Sequence, residues 1–139
     1  QRREEINAIV HTHGFWGTAL AGLARPLKIR HNLACFFHED QAISPDDSFA
    51  SIGEAIGTAN TIIIPWHGCI TVGTSIGRAT ALHQTLEEMA KLDVTLEPSN
   101  APELPKEWRG KIKTLIDAEA HYLEQTWDLM LRKINTKEN

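Results

Sequence analysis

Three consecutive isoleucines, Ile62, Ile63 and Ile64, stand between Thr61 and Pro65. A β-branched segment that is apolar at every position has no solvent-facing side, which predicts a strand buried on both faces at the centre of a sheet. Ile70-Thr71-Val72 follows after a turn at His67-Gly68, and so short a connection predicts antiparallel neighbours. Gly68 is expected to let the backbone turn sharply there.

The rest of the chain supplies helices to cover that sheet. Ile6, Ile9 and Val10 lead into His11-Thr12-His13 and stop at Gly14, a short strand ending in a turn. Phe15, Trp16, Leu20 and Leu23 recur at helical spacing among alanines and glycines until Pro26, predicting a helix packed closely on the sheet. Ala34-Cys35-Phe36-Phe37 reads as another strand, residues 40–47 as a polar loop, and Ser48 to Ile56 as a short helix. Thr74 or Ser75 can cap a helix carried by Ile76, Ala79, Leu82, Leu86 and Met89 to about Leu92. Beyond a proline-rich loop, Trp108, Ile112, Leu115, Leu123, Trp127, Met130 and Ile134 mark a long amphipathic helix. Strands interleaved with helices give an α/β sandwich, and 139 residues fit one domain.

Composition narrows the function. A net charge of -4 without a basic block speaks against a nucleic-acid or anionic-membrane surface and for a small-molecule or protein partner. The longest apolar runs fall far short of the roughly 20 residues that span a bilayer, and no basic-then-apolar leader opens the chain. Two cysteines, Cys35 and Cys69, make no disulfide framework, and a reduced cytoplasmic setting is expected. The chain opens at Gln1 on a charged Arg2-Arg3-Glu4-Glu5 stretch, and an upstream portion is expected to be missing.

Residues two apart on a strand point to one face, so His11 and His13 can aim both imidazoles at one ion about 2 Å from each ring nitrogen. Alone the pair is a weak signal, since two histidines at this separation arise by chance as surface or hydrogen-bonded residues. His67, at the end of the isoleucine strand, is either a third ligand, completing an open site, or a structural histidine beside Trp66.

Val10-His11-Thr12-His13, the Ala19-Leu20-Ala21 helix, Ala34-Cys35-Phe36-Phe37, and the run from Ile63-Ile64-Pro65-Trp66-His67-Gly68 through Cys69-Ile70-Thr71-Val72-Gly73 together resemble class II aldolase/adducin domains in order and spacing. The resemblance implies a three-layer αβα sandwich with a central mixed or mainly antiparallel sheet. It implies that His11, His13 and His67 bind a divalent metal, zinc first, with iron, cobalt or manganese as alternatives, and that the chain forms a homo-oligomer, commonly a tetramer. The family's acidic ligand or base lies roughly twenty residues before the histidine pair, and its anion-binding loops lie farther upstream; this chain is expected to lack both. Trp66 also departs from the asparagine or histidine that often precedes the family's metal histidine.

No catalytic acid or base is assigned. Glu4 and Glu5 read as solvated charges, His38-Glu39-Asp40 as a polar loop, His83 and His121 as helix surface or groove, and Tyr122 as a core edge. His31 remains a polar candidate without a motif. Gly73-Thr74-Ser75-Ile76-Gly77 lacks the lysine of a phosphate loop and reads as a helix cap. The four tryptophans read as packing residues, with Trp108 and Trp127 on the last helix suited to core or subunit contact.

The resulting expectation is a metal-dependent lyase that performs aldol cleavage or decarboxylation of a hydroxy-carbonyl or keto-acid substrate through a metal-stabilised enediolate. A non-catalytic adducin-like interaction module, or an inactive fragment of such an enzyme, is the alternative.

Overall fold

A computed structural model describes residues 3–118 and 121–136; Arg2 of the charged opening stretch lies outside them. The elements are β1 (Ala8–Thr12), α1 (Phe15–Gly22), a 3-10 helix (Asn32–Phe37), β2 (Gln41–Ile43), α2 (Phe49–Ala55), β3 (Thr61–Ile64), β4 (Gly68–Gly73), α3 (Ile76–Leu96), a 3-10 turn (Glu97–Ser99), α4 (Lys106–Ala118) and α5 (His121–Asn135). The four strands lie in the order β1-β4-β3-β2. β1 and β3 both pair antiparallel with β4, while β2 pairs parallel with β3, so the sheet is mixed.

The isoleucine strand occupies the predicted interior position. Ile62, Ile63 and Ile64 are buried, and the hairpin to β4 aligns Ile62 with Ile70 and Ile64 with Gly68. Strand alternation then divides β4 between two environments. Cys69 and Thr71 face α1 and α3: the Cys69 thiol lies against the Gly17 carbonyl, and the Thr71 hydroxyl donates to the Ala79 carbonyl. Ile70 and Val72 face the other way, forming with Ile9 of β1, Ile52 of α2 and Ile56 at the end of that helix one apolar groove. Helices therefore flank both faces of the sheet, as a three-layer arrangement requires.

The principal core lies between the sheet and α3, where Leu20, Phe37, Ile63, Cys69, Leu82, Leu86 and Leu123 cluster. Ser75 caps α3 by accepting from the Arg78 amide, as the sequence suggested, and the helix continues past Leu92 to Leu96. Farther along α3, buried Asp93 binds Arg25, Arg30 and the Lys28 amide. That carboxylate ties the irregular segment after α1 to the central helix.

Two elements differ from expectation. Ala34-Cys35-Phe36-Phe37 is not a strand but part of the 3-10 helix, capped by the His31 ring, which accepts from the Leu33 amide. All four residues are buried, and a short apolar run buried all round carries no periodicity to separate strand from helix. The edge strand is instead Gln41–Ile43, within the stretch read as polar loop; its pairing to β3 outweighs its own composition. The last amphipathic stretch is helical on both sides of residues 119–120. Trp127 packs on Gly77 of α3, but Trp108 and Trp66 are largely exposed rather than packed.

Candidate metal centre

The sheet brings the ends of two segments together. β1 pairs with β4 so that His11 lies opposite Ile70 and Thr12 opposite Cys69, which sets the end of β1 beside the β3–β4 turn. That turn is closed by the His67 amide donating to the Ile64 carbonyl. Pro65 and Trp66 fill its two central positions, and Trp66 has φ +59°. A proline followed by a positive-φ residue is the requirement of a type II turn, here met by an indole at a backbone cost of about 1–2 kcal/mol relative to glycine. The Trp66 amide donates to the Ala21 carbonyl at the end of α1, fixing the turn against that helix.

Gly68 does not provide the turn. Its demand is for space: a Cβ there would stand 2.8 Å from the Thr12 carbonyl oxygen, 3.2 Å from His13 Cδ2 and 3.5 Å from His11 Cε1. The absence of a side chain lets β4 approach the histidine pair closely enough for the hairpin histidine to join it.

His11, His13 and His67 meet there, with one nitrogen from each lying within 4.8 Å of the others. The ring centroids are 4.9 to 5.2 Å apart. His11 Nδ1 lies 3.0 Å from the Cys69 carbonyl oxygen; a carbonyl only accepts, so Nδ1 carries the proton and Nε2 keeps its lone pair. Such a second-layer bond is the usual means of setting a metal-binding tautomer. His11 Nε2 and His13 Nε2 are 3.1 Å apart, close to the roughly 3.3 Å separation of two nitrogens about 2.0–2.1 Å from a tetrahedral ion. The donor set thus fits a divalent ion, with His67 within reach of a side-chain adjustment.

The cluster opens to solvent on two sides. Phe15, Thr18 and Ala19 line one opening with His13 and His67; Pro45, Asp46, Asp47 and Trp66 line the other. Asp47 Oδ2 lies 3.9 Å from His67 Nδ1, a carboxylate facing the third ring. Sequence reasoning gave Asp47 only turn chemistry, and nothing in its neighbourhood distinguished it. Asp46 serves the cap of α2 instead, accepting from the Ser48 amide and the Ser51 hydroxyl; the Ser48 side chain first, then its amide and Ser51, hold the Asp46 carboxyl below the usual range.

None of the other polar candidates adjoins the three histidines. His31 caps the 3-10 helix. Asp40 accepts from the Asn60 amide and side chain, and His38 faces Glu39. Tyr122 stacks on Phe36, and exposed His121 pairs with Glu124. Glu5 is solvent-exposed beside Arg3, whose hydrogen bond lowers its pKa.

His83 is the exception to its surface reading: it is buried, with Nε2 2.7 Å from Thr12 Oγ1 and Nδ1 3.2 Å from Thr71 Oγ1. One turn later on α3, Glu87 accepts from the amides of Trp16 and Gly17, capping α1 where Gly14 has no side chain to do so. A side chain at Gly14 or Gly17 would collide with that carboxylate. Spacing four apart on α3 was the available signal, but only the fold shows what the two residues face.

Residues 1–94 match the family described as Class II Aldolase and Adducin N-terminal domain. The chain is 33% identical over 97 residues to an L-fuculose phosphate aldolase of Methanococcus maripaludis, a match covering 67% of this chain and 54% of that protein. It is 25% identical over 109 residues to the decarboxylase NovR of Streptomyces niveus, covering 73% of this chain and 40% of the relative. The chain therefore spans about half, or less, of the curated relatives it matches. Among solved structures, an L-fuculose 1-phosphate aldolase from Glaciozyma antarctica superposes with a TM-score of 0.86 at 24% identity, over 98% of this chain and 55% of that one.

Proposed function

The chain belongs to the class II aldolase and adducin N-terminal domain family, and on that footing we propose that it provides the metal centre of a divalent-metal-dependent lyase acting on a small hydroxy-carbonyl or keto-acid substrate. The carrying observation is the convergence of His11, His13 and His67, whose donor nitrogens lie within 4.8 Å of one another at the ends of two strand segments. Its relatives include both a sugar-phosphate aldolase and a decarboxylase, two reactions that break a carbon–carbon bond beside a carbonyl.

Three neutral imidazoles leave coordination positions open, the pattern of a catalytic rather than a structural site. When bound, the ion supplies Lewis-acid stabilisation of the negative charge that develops on substrate oxygens as the bond breaks. Zinc suits the all-imidazole donor set, with iron, cobalt and manganese as the alternatives.

The chain's own groups hold and orient. The Cys69 carbonyl fixes the His11 tautomer, Asp47 faces His67 Nδ1, and Phe15 and Trp66 border the two approaches. Asp47, exposed on its loop, can also take or return a proton at its carboxylate. Exposed Trp108, Leu115, Leu129 and Ile134 on α4 and α5 support self-association, consistent with a homo-oligomer.

Elemental mass spectrometry of the purified chain tests the reading beside a folded variant with His11, His13 and His67 all replaced by alanine. About one equivalent of metal, lost in the variant, is expected for a single site, followed by turnover of hydroxy-carbonyl phosphates or keto acids. A chain that takes up no metal after reconstitution sinks the proposal.

A further inference from the structure

Thr12 lies between the two histidines of the pair, and strand alternation turns it to the opposite side, toward α3. Its hydroxyl meets His83 Nε2 at 2.7 Å and receives the Gly14 amide at 3.2 Å. On the far side of the ring, His83 Nδ1 lies 3.2 Å from Thr71 Oγ1, whose hydroxyl is also 2.9 Å from the Ala79 carbonyl.

These contacts have only one consistent direction for a neutral ring. The Ala79 carbonyl can only accept, so it takes the single Thr71 hydroxyl proton, and Thr71 must accept from His83 Nδ1–H. His83 Nε2 is then the acceptor, and Thr12 donates its proton to it. Burial lowers the His83 pKa, with Glu87 opposing that shift, and the neutral ring is the form whose donor and acceptor these contacts satisfy. The chain runs from the Gly14 amide through Thr12, His83 and Thr71 to the Ala79 carbonyl, with every polar hydrogen directed.

We propose that Thr12 and His83 are positioning residues for the metal centre: the directed chain from Gly14 to Ala79 locks residues 12–14 onto α3 and so fixes where His11 and His13 place their rings. Glu87, one turn along α3, completes the clamp by capping the helix that begins immediately after Gly14. The inference rests on the metal-centre reading above, but its geometry concerns the protein alone. A histidine pair on a strand end leaves its second ring in the turn beyond the ladder, since β1 stops at Thr12. The clamp gives that turn the anchorage that sheet pairing does not.

Thr12→Val keeps the side-chain shape and deletes both hydroxyl bonds, whereas Thr12→Ser keeps the hydroxyl. Cobalt titration followed by visible absorption is the first readout. With circular dichroism confirming folded protein, the valine variant is expected to bind Co2+ at least about tenfold more weakly, with an altered ligand-field spectrum, and the serine variant to recover to within about threefold. Equal affinity and an unchanged spectrum in Thr12→Val would overturn the proposal.

Gly14 amide hydrogen exchange in the metal-free proteins separates the clamp from the metal reading. Exchange about tenfold faster in Thr12→Val than in the unsubstituted chain supports the clamp, and unchanged exchange refutes it. Failure of the unsubstituted chain to bind Co2+ or Zn2+ would count against the metal-centre reading, leaving the exchange result to decide the clamp.

Discussion

Replacing Gly68 with alanine asks whether close approach of β4 builds the metal site. The added methyl would stand 2.8 Å from the Thr12 carbonyl oxygen, whereas carbon–oxygen contacts settle at about 3.3–3.6 Å. Relief therefore requires a movement of about half an ångström. Backbone, not a flexible side-chain end, must provide it, because Thr12 is held in register opposite Cys69. Overpacking of this kind costs about 1–3 kcal/mol. The same movement consumes the roughly 0.5 Å within which a functional constellation must be held, so metal affinity is expected to fall about tenfold, equivalent to about 1.4 kcal/mol. Urea denaturation of the metal-free chain gives the first quantity and Co2+ titration the second. Gly53→Ala is the internal control: a Cβ there meets nothing within 4 Å in α2, so alanine should stabilise by about 0.5–1 kcal/mol. A Gly68→Ala chain as stable as its parent and equally tight for metal would refute the packing argument.

Asp93→Ala leaves Arg30, only 3% exposed, without its principal counter-charge, and should cost about 3–5 kcal/mol in urea denaturation; a loss below about 1 kcal/mol would show that Glu97 and neighbouring carbonyls suffice. The Cys69 thiol, pushed up to about 12 mainly by burial and also by Glu87, should resist iodoacetamide at pH 8 until the chain is denatured; rapid native labelling would contradict its burial. Its folded pKa lies above its unfolded value near 9, so its contribution to stability is complete below pH 9 and is lost as pH rises toward 12. Denaturation midpoints measured across that window should fall; a midpoint attributable to Cys69, isolated with Cys69→Ala, that stays constant would reject the linkage. Gly110→Ala, also facing open space within α4, should raise stability by about 0.5–1 kcal/mol, and a lowered denaturation midpoint would show that the helix surface is constrained there.

The isoleucine run, the β3–β4 hairpin and the placement of His11 and His13 side by side were legible because each depends on local chemistry: β-branched burial, a short connection, and two-residue alternation. That His67 joins the pair was carried by the family resemblance, since the residues around it left a structural histidine equally open. The 3-10 helix at Asn32–Phe37 was not, since burial on every side erases the periodic contrast that would identify it. Gln41–Ile43 was missed because its strand state is imposed by β3. His83 and Glu87 illustrate a different limit. Their sequence spacing places them on one face of α3, but their partners lie about seventy positions upstream, and no local pattern announces contacts made across such a separation. Gly68 was singled out for backbone freedom when what mattered was the volume of a neighbour's carbonyl.

β1 also has only one neighbour in the described sheet. Its Ala8–Thr12 span contains neither lysine nor proline, the residues that commonly guard an outer strand, and Ile9 is 66% exposed. The strand that carries His11 and leads into His13 thus leaves one row of backbone groups without a strand partner among the described residues. The open backbone edge of β1 and the placement of His11 depend on the same few residues, so a substitution made to protect that edge acts on the histidine pair as well.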